Sequence, residues 1–378
     1  MFLYSFSYNF FIFIILIIMI NDTRTIKDFK DKTFSGYKKT EVISILFKSI
    51  ESKNIDACCN WIVECIISGY SEYVWNKLCI YCAKNININN TELTYYILKQ
   101  NKIFYNILDE ENINKNLLNL RNNRIIYNIF ISIIIIITDS PKNFKYKISN
   151  INKNDFNTDY IRERLTCPMN LIPENKISNS EPQELKLILN EILYNIKDNI
   201  DKYDKCFYWI YWILQWEKIN LKNNIEWNIL ERNTDIDLKY RKDVIWLIWE
   251  IILDESKNKN NFIKDNINNL YKLYIFRYKK GDKMKRLPYL LNCILFLVKN
   301  ITKTVLIKNI EPIIKCQCNL FLIIKSKKIN EKKPIELNNS LKKENLKIIK
   351  NKKQLEENIQ KEKILLKLQD FNEISKLL

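Results

Sequence analysis

The chain has 378 residues, of which 47 % are hydrophobic and 12 % aromatic, enough to build the core of one large or two medium domains. It has no histidine and only three widely separated glycines, which excludes histidine-based catalysis, histidine-ligated metals and a glycine-rich phosphate loop. Its net charge of +18 would attract a nucleic acid or an anionic membrane surface, although many lysines can equally serve only to solvate a helical protein.

The N-terminal segment, Met1–Ile20, is apolar and just long enough to cross a bilayer as a helix. It lacks a basic start and a small-residue cleavage site, so it does not resemble a signal peptide. Two interpretations stay open, a membrane anchor and a mis-assigned start that would move translation to Met19. Residues 21–39 are polar and without periodicity, which predicts a loose arm.

A helical hairpin is predicted over residues 40–69. Apolar residues recur at three- and four-residue spacing from Val42 to Ile50 and again from Cys58 to Ile66, and Gly69 is placed for a left-handed cap. A third helix is predicted over residues 71–84.

This hairpin resembles a known domain. The matching residues are the run Lys48-Ser49-Ile50, then Asp56-Ala57, Trp61 and Gly69. Residues 41–90 are similar to the C-terminal helical oligomerisation domain of the MgsA/WRN-interacting AAA ATPases, which act at stalled replication forks. The ATPase module is absent, so the resemblance implies an interaction surface at Lys48, Asp56, Trp61 and Gly69 and no catalytic residue.

A second resemblance covers residues 34–300. The blocks SGYKKTEVISILFKSI, YDKCFYWIYWILQWEK and YRKDVIWLIWEII are similar to an uncharacterised protein family of nucleocytoplasmic large DNA (giant) viruses. It implies a viral protein located in the host cytoplasm or a viral factory and supplies no activity.

The middle of the chain predicts a short helix over residues 91–102 and a long one over 113–138. The run from Ile125 to Thr138 has only 14 residues, whereas a membrane span needs about 20, so a core helix is favoured over a second span; a buried strand is the alternative. Residues 141–181 lose periodicity and predict an irregular connection with a short helix around 159–165.

Tryptophans mark the second half. Helices are predicted over 182–197, from 204 onward and over 241–253, and Asp204-x-Cys206-x-x-Trp209-Ile210 repeats Asp56-x-Cys58-x-x-Trp61-Ile62. Base stacking would use aromatic residues interleaved with cations. Here the indoles keep helical spacing among aliphatic residues, which favours core packing.

A basic turn follows the helix predicted over 261–278. Its cations are the candidates for phosphate contact, and solvated lysines are the alternative: Lys279, Lys280, Lys283, Lys285 and Arg286. Two further helices are predicted over 287–301 and 304–324, the second kinked at Pro312. Residues 326–378 predict a lysine-rich charged helix, either a weak coiled coil or partner helix, or a partly disordered tail.

The ten cysteines are predicted to be reduced thiols, because most of them lie on apolar helical faces. The residues on such faces are Cys58, Cys65, Cys79, Cys82, Cys206 and Cys293. The pairs Cys79-x-x-Cys82 and Cys316-x-Cys318 have zinc-like spacing, but both fit helices rather than knuckle loops. No metal, cofactor, catalytic residue or small-molecule substrate is therefore predicted.

Together these features predict an all-α protein, a stack of helical hairpins in one or two layers, with helical domains at 40–140 and 182–325. The expected function is a non-catalytic scaffold that self-associates or binds a protein partner, associated with DNA replication or repair. Two alternatives stay open: nucleic-acid binding through the basic turn and tail, and membrane tethering through Met1–Ile20.

Overall fold

The fold is all-α, as predicted. A computed structural model describes residues 19–22, 24–111, 116–142, 151–197, 202–225, 228–279 and 281–332. Thirteen α-helices occur in these ranges, where no strand forms beyond an isolated bridge between Lys32 and Lys38. Most of the predicted charged tail, residues 333–378, and most of the predicted N-terminal anchor lie outside the described residues. None of the described helices is long and apolar enough to cross a membrane.

The chain forms two compact units, and neither is one continuous stretch. The first comprises residues 1–79, 99–140 and 305–378, and the second comprises 80–98 and 141–304. The break at residue 140 coincides with the predicted start of the connection. The two units are otherwise made of different residues from the two consecutive domains that the sequence suggested. Residues 80–98 belong to the second unit, and the helix after residue 305 belongs to the first.

The helices follow one another in chain order. The first seven are α1 (Lys39–Glu51), α2 (Ile55–Ile67), α3 (Ser71–Tyr81), α4 (Glu92–Glu111), α5 (Leu117–Asn122), α6 (Arg124–Asp139) and α7 (Thr158–Arg164). The remaining six are α8 (Glu184–Lys197), α9 (Tyr203–Lys222), α10 (Ile245–Ser256), α11 (Asn261–Ile275), α12 (Asp282–Val298) and α13 (Glu311–Lys327).

The isoleucine-rich helix α6 lies in the core of the first unit. Every residue from Ile126 to Thr138 except Asn128 is buried, and the α1–α2 hairpin and α13 pack against this helix. The prediction of a core helix is confirmed. The single long helix predicted over 113–138 is wrong, because Asn123 has an extended backbone and its side chain accepts a hydrogen bond from the Ile126 amide, which starts a new helix.

The N-terminal arm is packed, which corrects the prediction of a loose segment. Phe29 and Phe34 are buried, and the Tyr70 hydroxyl shares its single hydrogen between the carbonyls of Phe29 and Lys32. The guanidinium groups of Arg24 and Arg121 lie against both phenylalanine rings. Two isolated aromatic anchors therefore hold the arm where no periodic pattern predicted order.

Four tryptophans of the second unit lie in its core, and a fifth, Trp216, is half-buried. Trp209, Trp212, Trp246 and Trp249 are at most 2 % exposed. The Trp212 indole donates a 2.7 Å hydrogen bond to the carbonyl of Asp155, which belongs to the connection after residue 141. These indoles are core residues, as their helical spacing predicted.

Pro312 does not kink a helix. Helix α13 begins at Glu311, so Pro312 occupies its first turn, where a missing N–H costs no intrahelical hydrogen bond. The predicted helix over 304–324 therefore starts seven residues later than expected.

Candidate interaction surface and basic turn

Three of the four hairpin residues singled out by the resemblance have local structural roles. Lys48 and Asp56 are exposed and lie in the last turn of α1 and the first turn of α2, where their charges complement the helix dipoles. Gly69 has a φ of +71° and completes a Schellman cap, with its amide bonded to the Ile66 carbonyl. A Cβ at Gly69 would meet Leu117 Cδ1 at 3.0 Å.

Trp61 is the aromatic residue among the hairpin candidates. It is half-buried on α2, its ring meets Tyr37 edge to face at 5.6 Å, and Lys327 Nζ lies 5.9 Å from its ring centroid. Amphipathic aromatic side chains that are rigidly held and partly exposed are the typical anchors of protein interfaces.

Further aromatic and basic side chains are exposed or half-buried in the first unit. Tyr37 and Tyr73 are 49 % and 43 % exposed, and Lys39 Nζ lies 4.4 Å from the ring centroids of both Tyr70 and Tyr73. Lys77 Nζ is 5.6 Å from the Tyr73 ring. We call Tyr37, Lys39, Trp61, Tyr73 and Lys77 the tyrosine–lysine surface. Sequence analysis missed all of it except Trp61, because the residues come from the arm and three helices.

A buried carboxylate lies beneath this surface. Glu64 accepts hydrogen bonds from the Ser35 amide at 2.8 Å, the Ser35 hydroxyl at 2.9 Å and Lys327 Nζ at 2.8 Å. Burial by itself raises the pKa of Glu64, but the charge and hydrogen bond of Lys327 outweigh it and keep the pKa below its ordinary value. The Glu64–Lys327 pair thus joins the arm, the hairpin and α13.

A second buried ion pair holds the start of the arm. Asp22 pairs with Arg24 and, at 3.5 Å, with Arg121, whose Nε donates a 2.6 Å hydrogen bond to the Ile67 carbonyl at the end of α2. Burial raises the pKa of Asp22, whereas the hydrogen bonds and charges of the two arginines lower it, and the lowering prevails. The arm is therefore fixed by charges as well as by its aromatic anchors.

The basic turn is only partly free to meet a phosphate. Lys279 and Lys285 are exposed, whereas Lys280 lies outside the described residues. Arg286 donates hydrogen bonds to the carbonyls of Tyr274 at 2.7 Å and Phe276 at 2.6 Å, so its guanidinium is used within the second unit. It also pairs with Asp282 at 3.1 Å.

Lys283 neutralises two carboxylates from other segments of the second unit, Glu217 on α9 and Asp243 just before α10. Its Nζ lies 2.5 Å from Glu217 Oε2 and 2.9 Å from Asp243 Oδ1. Burial and then the Asp243 charge raise the pKa of Glu217, while Lys283 opposes them. Burial lowers the pKa of Lys283, but the charges of Asp243 and Glu217 prevail and raise it. Because Asp243 also accepts from the Ile245 amide, this cluster fixes the start of α10.

We expect Lys283→Met to destabilise the protein by about 2–3 kcal/mol, since it leaves two carboxylates facing each other in a mostly buried site. Lys285→Met, two residues along the same helix, should change the free energy of unfolding by less than about 0.5 kcal/mol because Lys285 is exposed. Urea denaturation of the two variants checks the difference. Equal effects would contradict the assigned structural role of Lys283.

A similar pair ties the connection to the second unit. Glu181 is buried and receives two hydrogen bonds from Arg232, at 2.6 and 2.7 Å, and a third from the Leu230 amide. Burial raises the pKa of Glu181, but the hydrogen bonds from Arg232 and two backbone amides lower it further than burial raises it. The ordered connection after residue 151 is thus held by a bidentate ion pair.

All ten cysteines lie within the described residues, and none of them forms a disulfide. Cys79 and Cys82 lie at the end of α3 and in the turn that follows, and Cys316 and Cys318 lie on α13. Within the described parts of the chain, no three cysteine, aspartate or glutamate side chains cluster as metal ligands.

Comparison with known proteins adds no relative. No protein family, curated protein or solved structure matches this chain.

Proposed function

We propose that this protein is a non-catalytic helical scaffold that binds an acidic protein partner through the tyrosine–lysine surface. The observation that carries the proposal is the exposure of Tyr37, which packs edge to face on the half-buried Trp61, and of Tyr73, whose ring lies close to Lys39 and Lys77. Tyrosine and tryptophan anchors surrounded by one sign of charge favour a partner that offers apolar groups and carboxylates. Lys32, joined to Lys38 by the backbone bridge beside Tyr37, adds exposed positive charge, whereas Lys38 itself pairs with Glu41 at 3.6 Å.

The arrangement of the buried charged residues supports a structural role for them rather than a catalytic one. The carboxylates of Asp22, Glu64, Glu181 and Glu217 each form an ion pair that links separate segments within one unit. A general acid or base needs access to a substrate proton, whereas these groups are occupied by arginine or lysine partners. The raised pKa of Glu217 therefore supports no catalytic role while Lys283 lies against it.

The resemblance of the Lys48–Gly69 hairpin supports a partner in DNA replication or repair, and the giant-virus resemblance supports a viral context. The same resemblance also supports a second possibility, in which two copies of this chain associate through the hairpin. The apolar faces of α1 and α2 pack on α6, and α13 also packs on α2, so we place the contact on the tyrosine–lysine surface rather than on those faces.

The test compares full-length variants as baits for cross-linked affinity purification from nuclease-treated lysate. Tyr37→Ala and Tyr73→Ala should each reduce partner recovery about tenfold or more, as expected for interface anchors. Tyr160→Ala, which removes a tyrosine of similar exposure in the second unit, should not. Light scattering of purified wild type and variants separates self-association from binding of another protein.

Unchanged recovery in both tyrosine variants would contradict the proposal. Loss of all recovery on nuclease treatment, together with filter binding that weakens steeply with salt, would favour the nucleic-acid alternative instead. Lys279→Met and Lys285→Met then test the exposed part of the basic turn.

A further inference from the structure

The Lys283 side chain of the second unit lies against both oxygens of one carboxylate. Its Nζ is 2.9 Å from Asp243 Oδ1 and 2.9 Å from Asp243 Oδ2. Because the carboxyl carbon lies between these oxygens, Nζ is about 3 Å from Asp243 Cγ, within the separation of about 3–3.5 Å from which two groups can react. A nitrogen nucleophile therefore lies next to an acyl carbon.

Two further groups contact these reacting atoms. The backbone amide of Ile245 donates a 3.0 Å hydrogen bond to Asp243 Oδ1, so it can stabilise a negative charge that develops on this oxygen. Glu217 Oε2 lies 2.5 Å from Lys283 Nζ, which is close enough to accept a proton from the nitrogen. The cluster thus combines a nucleophile, an acyl carbon, an oxyanion donor and a proton acceptor.

The cluster is mostly shielded from water. The Glu217 side chain is 8 % exposed, and those of Lys283 and Asp243 are each 22 % exposed. Burial and then the Asp243 charge raise the pKa of Glu217, so this carboxylate accepts a proton more readily than an exposed glutamate does. Burial lowers the pKa of Lys283, but the two carboxylate charges raise it further, so the ammonium is the resting form and its reaction is slow.

We propose that Lys283 and Asp243 form an isopeptide bond, an intramolecular amide that joins α12 to the segment before α10, with Glu217 as the proton carrier. One ammonium proton passes from Lys283 Nζ to Asp243 Oδ2, which leaves a neutral amine and a carboxylic acid. The amine nitrogen attacks Cγ, and negative charge develops on Oδ1, where the Ile245 amide is bonded.

The second part of the reaction releases water. Glu217 takes a proton from the attacking nitrogen and gives it to the Oδ2 hydroxyl, the Cγ–Oδ2 bond breaks, and one water molecule leaves. The carbonyl then re-forms at Oδ1, and Glu217 is again a carboxylate. No oxidant, reductant or external reagent is consumed. The bond forms once in each chain and turns over no substrate, so the cluster remains a structural element.

The test is a tryptic peptide map of the full-length wild-type protein, made directly after purification and after prolonged storage in the folded state at neutral pH. Trypsin should release residues 243–257 and 281–285 as one branched peptide, lighter than the sum of its parts by the mass of one water molecule. Acylated Lys283 resists trypsin, whereas an unlinked chain is cleaved after Lys283. We expect the branched peptide to increase during storage.

Three variants test the assigned roles. Lys283→Arg keeps a cation but offers no amine, and Glu217→Gln keeps the side-chain shape but accepts no proton, so neither should give the branched peptide. Lys285→Arg changes an exposed lysine on the same helix and should give as much branched peptide as the wild type, apart from the altered residue.

Complete cleavage after Lys283 in the stored wild-type protein would overturn the proposal. This outcome needs no variant, so it does not depend on whether the substituted chains fold. A branched peptide that joins Lys283 to a residue other than Asp243 would overturn it as well. Equal yields of the branched peptide from Glu217→Gln and wild type would overturn the role of Glu217 as proton carrier.

Discussion

Replacing Lys327 with methionine is expected to destabilise the first unit by about 3–5 kcal/mol, because it leaves the Glu64 carboxylate buried without its cation. The Glu64 side chain is 0 % exposed and that of Lys327 is 8 % exposed, so water cannot replace the lost partner. Urea denaturation followed by tryptophan fluorescence and circular dichroism measures the effect. Lys325→Met on the same helix is the matched control, since Lys325 is exposed and should cost less than about 0.5 kcal/mol.

The pH dependence identifies Glu64 as the cause. In the wild type the pKa of Glu64 is below its ordinary value of 4.5, so its stabilisation is present above pH 4.5 and is lost as pH falls through the lowered pKa. Without Lys327, burial should raise the pKa of Glu64 above that value, and protonation would relieve the penalty. The difference between wild type and Lys327→Met should therefore shrink on acidification, and a constant difference would contradict this assignment.

The double variant Glu64→Gln/Lys327→Met provides a further control. Glutamine keeps an acceptor for the Ser35 amide without a charge to neutralise, so the double variant should recover a large part of the loss. No recovery would indicate that Lys327 contributes through packing on Trp61 rather than through Glu64.

The sequence alone was enough to predict those elements whose structure depends on residues close together in the chain. The α1–α2 hairpin was predicted nearly to the residue because apolar spacing, a turn at residues 52–54 and the glycine cap at Gly69 all lie within the same thirty residues. The tryptophan core was predicted for the same reason, since Trp209 and Trp212 keep helical spacing among aliphatic neighbours.

Partners that come from distant segments could not be predicted. The cations of the basic turn were candidates for phosphate contact, with solvated lysines as the alternative, but Lys283 is neutralised by Glu217 and Asp243, which lie on other segments of the chain. The arm was expected to be loose, but Phe29 lies under Arg121, far along the chain. Counting charged residues in the sequence gives the number of cations. Only the folded structure shows which of those cations remain exposed.

Trp75→Ala is expected to cost about 3–5 kcal/mol of stability, because it removes a fully buried indole from the core of the first unit. The Trp75 ring packs against Phe104 and Phe130 with centroids at 5.5 Å, and its Nε1 donates a 2.8 Å hydrogen bond to Asn101 Oδ1. Alanine would leave both a cavity and a buried amide without its donor. Thermal and urea unfolding measure the loss.

The half-buried Trp61 is the matched comparison, and it separates structural from functional indoles. Trp61→Ala should cost less than about 1.5 kcal/mol of stability, since its side chain is only partly buried, yet it should weaken partner binding as strongly as Tyr37→Ala does. Trp75→Phe, which keeps a ring and loses the hydrogen bond, should fall between the two in stability and leave binding unchanged. If Trp75→Ala were tolerated, or Trp61→Ala destabilised the chain as much, the buried indoles would not be what holds the first unit together.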